Sequence, residues 1–343
     1  MATLANNYID LIDVAMAADA KLGTVIDMIK QENPILDDAV YMPCNNGTKH
    51  DHEIATGYPD VSFGKLYQGV TQSKGATQIV TDTTGWLEGR LEVDVRLKNI
   101  WKDRYPNIRL KQARMFMGAM NNQMASSVFY DDTTTTPERF KGLAARYNVR
   151  GGSGAGNQVI HGGGSGSTNT SIWFVTWSDF ATHFIHPENT MGGMKREDKG
   201  EQQVLDANGK PYFADVETYE WHMGVAVADW RYNARVANID VSALAAGNLD
   251  VNDLMTQAYY KLKSRQYARL GAGGEQTNIR QAIYCNREVL LALDREARNN
   301  GASDNFVRLT PKEIEGKEVL TWRDMPIREC EAILNTEAVV PTA

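Results

Sequence analysis

Two pairs of histidines stand at spacings that a metal ion can use, His183-Phe-Ile-His186 and His50-Asp-His52. Imidazole nitrogens are common ligands for zinc and its neighbours, but a site needs at least a third donor. No H-E-x-x-H motif and no nearby third ligand accompanies His183 and His186. Phe184 and Ile185 point to a strand, where an odd spacing sends the two rings to opposite faces. His50 and His52 lie in a polar, loop-like stretch suited at most to a weak chelate. Cys44, Cys285 and Cys330 are odd in number and widely separated, which speaks against a disulfide framework or a zinc cluster. They read as small buried hydrophobes in a reducing compartment.

Glycine-rich runs are the other feature with chemical potential. Gly151-Gly-Ser-Gly-Ala-Gly156 and Gly162-Gly-Gly-Ser-Gly166 do not match the dinucleotide fingerprint, and no G-x-x-x-x-G-K-[ST] phosphate loop occurs. There is no G-x-S-x-G nucleophile elbow. A triad assembled only in space leaves no such trace, so that possibility stays open. From the residues alone, no catalytic, cofactor-binding or metal site is assigned, and no cofactor is expected.

The elements that would have to hold any site are more informative. Val61–Val70 and Thr77–Thr84 are rich in β-branched and aromatic residues and flank a polar turn, Thr71-Gln-Ser-Lys-Gly75-Ala76. This predicts a long hairpin arm of some 30–40 Å at about 3.3 Å per residue. An isolated two-stranded ribbon is marginal in water, so a neighbour is its expected support. Beyond Gly85, Leu87, Leu91, Val93, Val95 and Leu97 alternate with charged residues, as in a strand with one wet face. A helical start near Val95 is the alternative.

A long helix follows. Pro106 suits a first turn, and Leu110, Ala113, Met117, Met120, Met124 and Val128 form one stripe at spacings of three and four. The methionines read as an adaptable core seam rather than a metal or haem box. Charge is uneven along this part of the chain. Residues 1–60 carry ten acidic and three basic side chains, which accounts for the whole net charge of −7. Arg96–Arg114 carries seven basic residues against Asp103 alone. Solvated faces are the plain reading. A sharper one lays the acidic segment, with Asp10, Asp13 and Asp19, along a neighbour's basic tract. A nucleic-acid groove fits less well, because aromatic interleaving stops at Trp101 and Tyr105 and the chain is acidic overall.

With 343 residues, 42% hydrophobic and 23% charged, the chain suits one large or two modest globular domains. No run of about 18 uncharged apolar residues predicts a membrane span. The first residues lack the basic and apolar regions of a secretory signal. Downstream, Pro137–Tyr147 predicts a short helix, and Gly151–Ser171 a mobile surface loop. Ser171–Trp177 is apolar on both faces, like a central strand. Asn189–Pro211 predicts loops or a hairpin, and Trp221–Val241 one long strand or a strand pair. Four of the seven tryptophans, at 173, 177, 221 and 230, suit a sheet core better than a stacking platform. Val251–Leu262 predicts a helix, Ile279–Cys285 a strand, and Asn286 the cap of a helix over 287–298. Thr310-Pro-Lys-Glu313 is a capping-box pattern, with short strands at 319–322 and 326–328.

Several of these stretches resemble one family. Trp322-Arg-Asp-Met-Pro-Ile-Arg-Glu-Cys-Glu-Ala-Ile-Leu-Asn-Thr-Glu337 is similar to the ending of major capsid proteins of tailed bacteriophages, in the podovirus group that includes Salmonella phages. Trp221–Asp240 resembles that group's long penultimate strand region. Phe140-Lys-Gly142-Leu143 resembles its post-helix turn, and Asn189–Gly209 its loop of glycines and charges.

The resemblance implies an α+β fold of the tailed-phage capsid (Hong Kong 97-like) type. The expected parts are an N-terminal arm (1–60), an extended hairpin loop (61–97), and a peripheral domain with a long spine helix (98–150). A glycine-rich loop and strand region (151–242) would be shared between peripheral and axial domains, and 243–343 would form the axial domain with the C-terminal strands. The strands of 171–241 precede the helix after Asn286, an order that departs from the best-known member. No cross-linking lysine–asparagine pair is carried over. The implied function is that of a non-enzymatic major capsid protein, assembling as pentamers and hexamers into an icosahedral head around double-stranded DNA. Implied partners are copies of itself and scaffolding, portal and decoration proteins, with no membrane. The implied location is the virion, after synthesis in the host bacterial cytoplasm. Alternatives are an encapsulin-like nanocompartment shell, which would enclose enzymes, and a soluble metal-dependent enzyme using His183 or His186.

Overall fold

The computed structural model describes residues 33–100, 105–263, 279–299, 310–314, 317–323 and 325–343. Asp10, Asp13 and Asp19, and Trp101–Arg104 of the basic tract, lie outside the described residues. In chain order the elements begin with α1 (Ile35–Asp38), β1 (Tyr41–Pro43), β2 (Lys49–Gly57), β3 (Ala76–Thr83) and β4 (Gly85–Asp94). Helices α2 (Val95–Ile100), α3 (Tyr105–Tyr130) and α4 (Leu143–Arg146) follow. Then come β5 (Val159–His161), β6 (Asn169–Trp177), β7 (Thr182–His186), β8 (Gly193–Leu205), β9 (Pro211–Val227) and β10 (Ala234–Asp240). The chain continues through α5 (Val241–Ala246), α6 (Val251–Lys261), β11 (Arg280–Cys285), α7 (Arg287–Asn299), β12 (Thr310–Ile314), β13 (Lys317–Trp322) and β14 (Met325–Glu329).

These elements fall into two compact units. The smaller contains Trp86–Met124 and Met191–His222. Here β8 and β9 form a long antiparallel hairpin, from Gly193 opposite His222 to Leu205 opposite Pro211. Strand β4 lies beside β9. Phe116 of α3 stacks on Tyr219 of β9 with centroids 5.0 Å apart and planes 5° from parallel. Gly89 leaves room for that ring, since a Cβ there would sit 3.1 Å from Phe116.

The larger unit contains residues 33–85, Ala125–Thr190 and Met223–Ala343. Its centre is β6, buried along all nine residues. Strand β10 pairs antiparallel on one edge (Val236 opposite Ile172) and β11 antiparallel on the other (Ile283 opposite Phe174). β14 runs parallel to β11, and β13 continues the sheet antiparallel to β14. β7 pairs antiparallel with the end of β9 and parallel with β1. The core joins Ile172, Phe174, Val236, Ile283 and Trp322 of the sheet to Met255 of α6 and Val289 of α7. Each such side chain, fully buried, contributes roughly 1.5–3 kcal/mol. Asn286 caps α7 by accepting from the Val289 amide at 3.1 Å, as its position predicts.

Several readings of the sequence need correction. The partner of the 77–84 strand is Lys49–Gly57, and Val61–Val70 forms no strand. Of the two readings open after Gly85, the helical start at Val95 holds, and the alternation ends at Asp94. Within the stripe of α3, Ala113, Met120, Met124 and Val128 are buried, but Leu110 and Met117 remain 47% and 40% exposed. The 310–313 pattern lies in a strand paired with β13 rather than at a helix start. Helix α4 covers only Leu143–Arg146 of the expected 137–147.

The glycine-rich stretch is held rather than loose. It contains a short 3-10 turn and β5, which pairs parallel with β10. Asn238 adopts a left-handed φ of 59° at a bulge in β10. The Gly162 and Gly164 amides donate to the Ala237 and Asn238 carbonyls at 2.8 and 2.7 Å. A Cβ on Gly162 would lie 2.9 Å from the Asn238 carbonyl oxygen, so this close approach requires glycine.

Candidate functional site

The exposed feature with the fewest internal partners is the arm built on β2 and β3. Their register runs from Lys49 opposite Thr83 to Ala55 opposite Thr77, closing at Gly57 and Ala76 past a bulge. Threonine, valine and isoleucine along β3 favour the extended backbone. At about 3.3 Å per residue the nine-residue β2 spans roughly 30 Å. Asp51 braces the base of the ribbon. Its amide donates to Asn45 Oδ1 at 2.8 Å, and its carboxylate accepts from Asn46 at 3.0 Å and Thr81 at 2.5 Å. Those hydroxyl and amide donors hold its pKa below the usual carboxylate value.

Asp82 anchors the root. This buried carboxylate accepts from the Arg146 guanidinium at 2.6 Å and from the Val227 amide at 3.3 Å. Arg146 also donates to the Val225 carbonyl at 2.8 Å. The root crosses β9 at Gly224, where a Cβ would stand 2.7 Å from the Thr83 carbonyl oxygen.

The far end is different in kind. Between Gly57 and Ala76 the backbone is irregular, and the Asp60 amide bonded to Ser73 Oγ at 2.8 Å is one of its few braces. Tyr58, Val61, Phe63, Leu66, Tyr67 and Val70 all point to solvent, with Phe63 and Tyr67 as open as in an extended peptide (101% and 105%). Each large aromatic side chain offers some 150–250 Å² of surface to bury. Soluble monomers rarely leave such a patch uncovered unless it serves an interaction.

The smaller unit holds a charged network. Arg109 of α3 pairs with Glu217 and with Asp198 at 2.8 Å, and Arg196 reaches Glu217 at 2.5 Å. Lys98 pairs with Glu201 at 3.1 Å and with Asp215 at 3.4 Å. Tyr219 donates to Glu217 at 2.6 Å. Several basic residues of the 96–114 tract are thus paired within their own unit.

The fold places the histidines and cysteines as follows. His183 is buried in β7, whereas His186, at the strand's end, lies 3.1 Å from the Pro187 carbonyl through Nδ1. The ring that meets His183 is His50, at 5.2 Å between centroids, with His52 a further 5.9 Å from His50. Sequence reasoning missed that trio, because its members are some 130 positions apart and only the fold joins them. Among the described residues, no group of three potential ligands is arranged to hold a metal ion. Cys44, Cys285 and Cys330 are free and buried. Burial pushes the Cys44 thiol up to about 11 and the Cys330 thiol up to about 12. Among the described residues, no helix is long and apolar enough to cross a membrane.

A family model described as major capsid protein GP7 matches residues 17–341. The chain belongs to this family of major capsid proteins. It is a structural protein of the virion that associates with copies of itself to form the shell. Among solved structures it is similar to a chain from bacteriophage epsilon15, with 29% identity, a TM-score of 0.74 and full coverage of both chains. The capsid of bacteriophage JBD30 matches 94% of this chain and 99% of its own at 9% identity and a TM-score of 0.47. An encapsulin complex from Synechococcus elongatus matches 67% and 96% at 11% identity and 0.42. These two are distant and add no weight. No curated protein matches the sequence. The fold of this capsid protein is the α+β, Hong Kong 97-like fold of tailed-phage shells.

Proposed function

We propose that this capsid protein forms pentamers and hexamers that close into an icosahedral head around double-stranded DNA, with the β2–β3 arm as the tie between neighbouring copies. The observation that carries the reading is the tip, where six large apolar side chains are at least 68% exposed among the described residues. Docking them on an adjacent subunit recovers roughly 1.5–3 kcal/mol for each one fully buried. Summed over hundreds of copies in a closed shell, that term favours assembly strongly. A net charge of −7 suits a lining that encloses DNA without gripping it. Scaffolding, portal and decoration proteins are the expected partners, and the host cytoplasm the expected place of synthesis. The β2–β3 ribbon of residues 49–83 takes the place of the 61–97 expected for the extended loop, with 98–150 assigned to the peripheral domain and 243–343 to the axial domain.

The test replaces Phe63, Leu66 and Tyr67 by serine. The variant is expected to keep the circular dichroism and melting temperature of the unassembled subunit yet sediment as small species where the natural sequence forms shells. Normal shells from the triple variant would overturn the proposed role of the arm.

A further inference from the structure

The three histidines at the arm's root have no part in the docking reading, and their surroundings are unusual. His50 and His52 come from β2, His183 from β7, and all three rings are largely withdrawn from solvent. Among the described residues, both ring nitrogens of His52 and Nδ1 of His50 lack a hydrogen-bond partner, and His183 has the Ser178 backbone beside it but no side-chain partner. His52 Nε2 approaches Asp82 Oδ2 only to 3.7 Å, because that carboxylate is already taken by Arg146 and the Val227 amide. Unpaired buried polar nitrogens normally cost free energy and are few in native structures.

The charged and titratable groups facing the trio can be named. Asp51 lies between His50 and His52 on β2, Asp82 on β3, and Arg146 reaches Asp82 from α4. The two carboxylates favour imidazolium. The guanidinium, each neighbouring ring once charged, and above all the loss of water oppose it. Burial is the largest influence on His183, followed by His50, and brings it from 6.5 down to about 4; the Ser178 backbone and Asp82 offset only part. Burial, then His52, also lowers His50.

We propose that His50 and His183, whose rings meet across β2 and β7, form an acid-sensitive latch that fixes the base of the arm to the sheet when neutral and releases it when protonated. The two sides of the latch lie on different strands, β2 of the arm and β7 of the sheet. Like charges appearing there push the arm's base away from β7 and compete with Arg146 for Asp82. The direction follows from linkage. A histidine depressed in the folded chain contributes stability that is complete above its ordinary 6.5 and is lost as pH falls toward about 4. The window is therefore pH 6.5 to 4.

The test is backbone hydrogen exchange of full-length, unassembled subunits between pH 7 and pH 5, corrected for the intrinsic pH dependence of exchange. Amides of β2 and β3 should lose about tenfold or more of their protection over that interval, while those of α7 lose far less. The double variant His50→Gln/His183→Gln should abolish the difference. An unchanged arm in the natural sequence, or the same loss in the double variant, would overturn the latch. Should the variant fold poorly, ring-proton NMR of the natural subunit decides. His50 and His183 both titrating near 6.5 contradicts the latch, and His183 titrating well below it supports the latch. Because the readout is taken before assembly, its outcome is independent of whether the tip docks on a neighbour.

Discussion

Arg235 and Glu337 meet at 2.8 Å with both side chains only 4% exposed, which ties the C-terminal segment into the centre of the larger unit. The guanidinium also donates to Ser171 Oγ at 3.1 Å and to the Tyr147 carbonyl at 2.9 Å, and lies 4.7 Å over the Trp173 ring. Glu337 in turn accepts from Ser171 and, at 2.6 Å, from the Tyr130 hydroxyl. A buried pair of this kind adds little net stability over an apolar replacement, but losing one partner strands the other. Glu337→Ala should therefore lower unfolding free energy by about 3–5 kcal/mol, read from urea titration of unassembled subunits. The double variant Arg235→Met/Glu337→Leu should recover much of that loss.

In the smaller unit, Glu217 is buried and gathers Arg109, Arg196 and Tyr219. Arg109→Ala leaves Glu217 the half-exposed Arg196 as its remaining cation. The expected loss is about 2 kcal/mol, because solvent near Arg196 screens part of the deficit. Differential exchange of β8 and β9 amides would register it. An unchanged hairpin would mean that Arg196 alone suffices.

Gly224→Val should displace the arm's root. Its added Cβ would stand 2.7 Å from the Thr83 carbonyl and 3.0 Å from Ile185 Cγ1, and neither the backbone of β3 nor the core side chain can yield freely. Overpacking of this type costs about 1–3 kcal/mol. Faster exchange confined to β2 and β3, at nearly unchanged α7, is the expected pattern.

The chain's thiols should be silent in the folded subunit. Burial raises Cys44 and Cys330 to about 11 and about 12 and pushes Cys285 higher still, so thiolate is scarce at pH 8. A maleimide or aromatic disulfide reagent should label none of the three on the timescale that labels all three in urea. Rapid labelling of one native thiol would place that cysteine at the surface.

How much of this was legible beforehand differs from element to element. β6 was readable, because a run apolar on both faces has few homes other than a central strand. The helix over 105–130 and the Asn286 cap were readable for similar local reasons. The arm was read in the wrong register. In Lys49-His-Asp-His-Glu-Ile-Ala-Thr-Gly57 the alternation is of histidine and isoleucine with charged residues, a polar pattern that does not announce a strand, and Ala55 and Thr56 toward its end are exposed. Val61–Val70 looked like a strand because its apolar residues are there, on the docking reading, to meet another molecule. The glycine-rich segment was misread for a complementary reason. Its composition is that of a flexible linker, but Gly162 and Gly164 are small in order to pack against the β10 bulge, a partner over 70 residues away.

The account stands or falls on where the arm's tip goes when subunits assemble. A cryo-electron microscopy map of particles grown with the other head proteins supplied answers this directly. The account predicts closed shells in which Phe63, Leu66 and Tyr67 lie against an adjacent copy. Shells in which those three side chains still face solvent would contradict it.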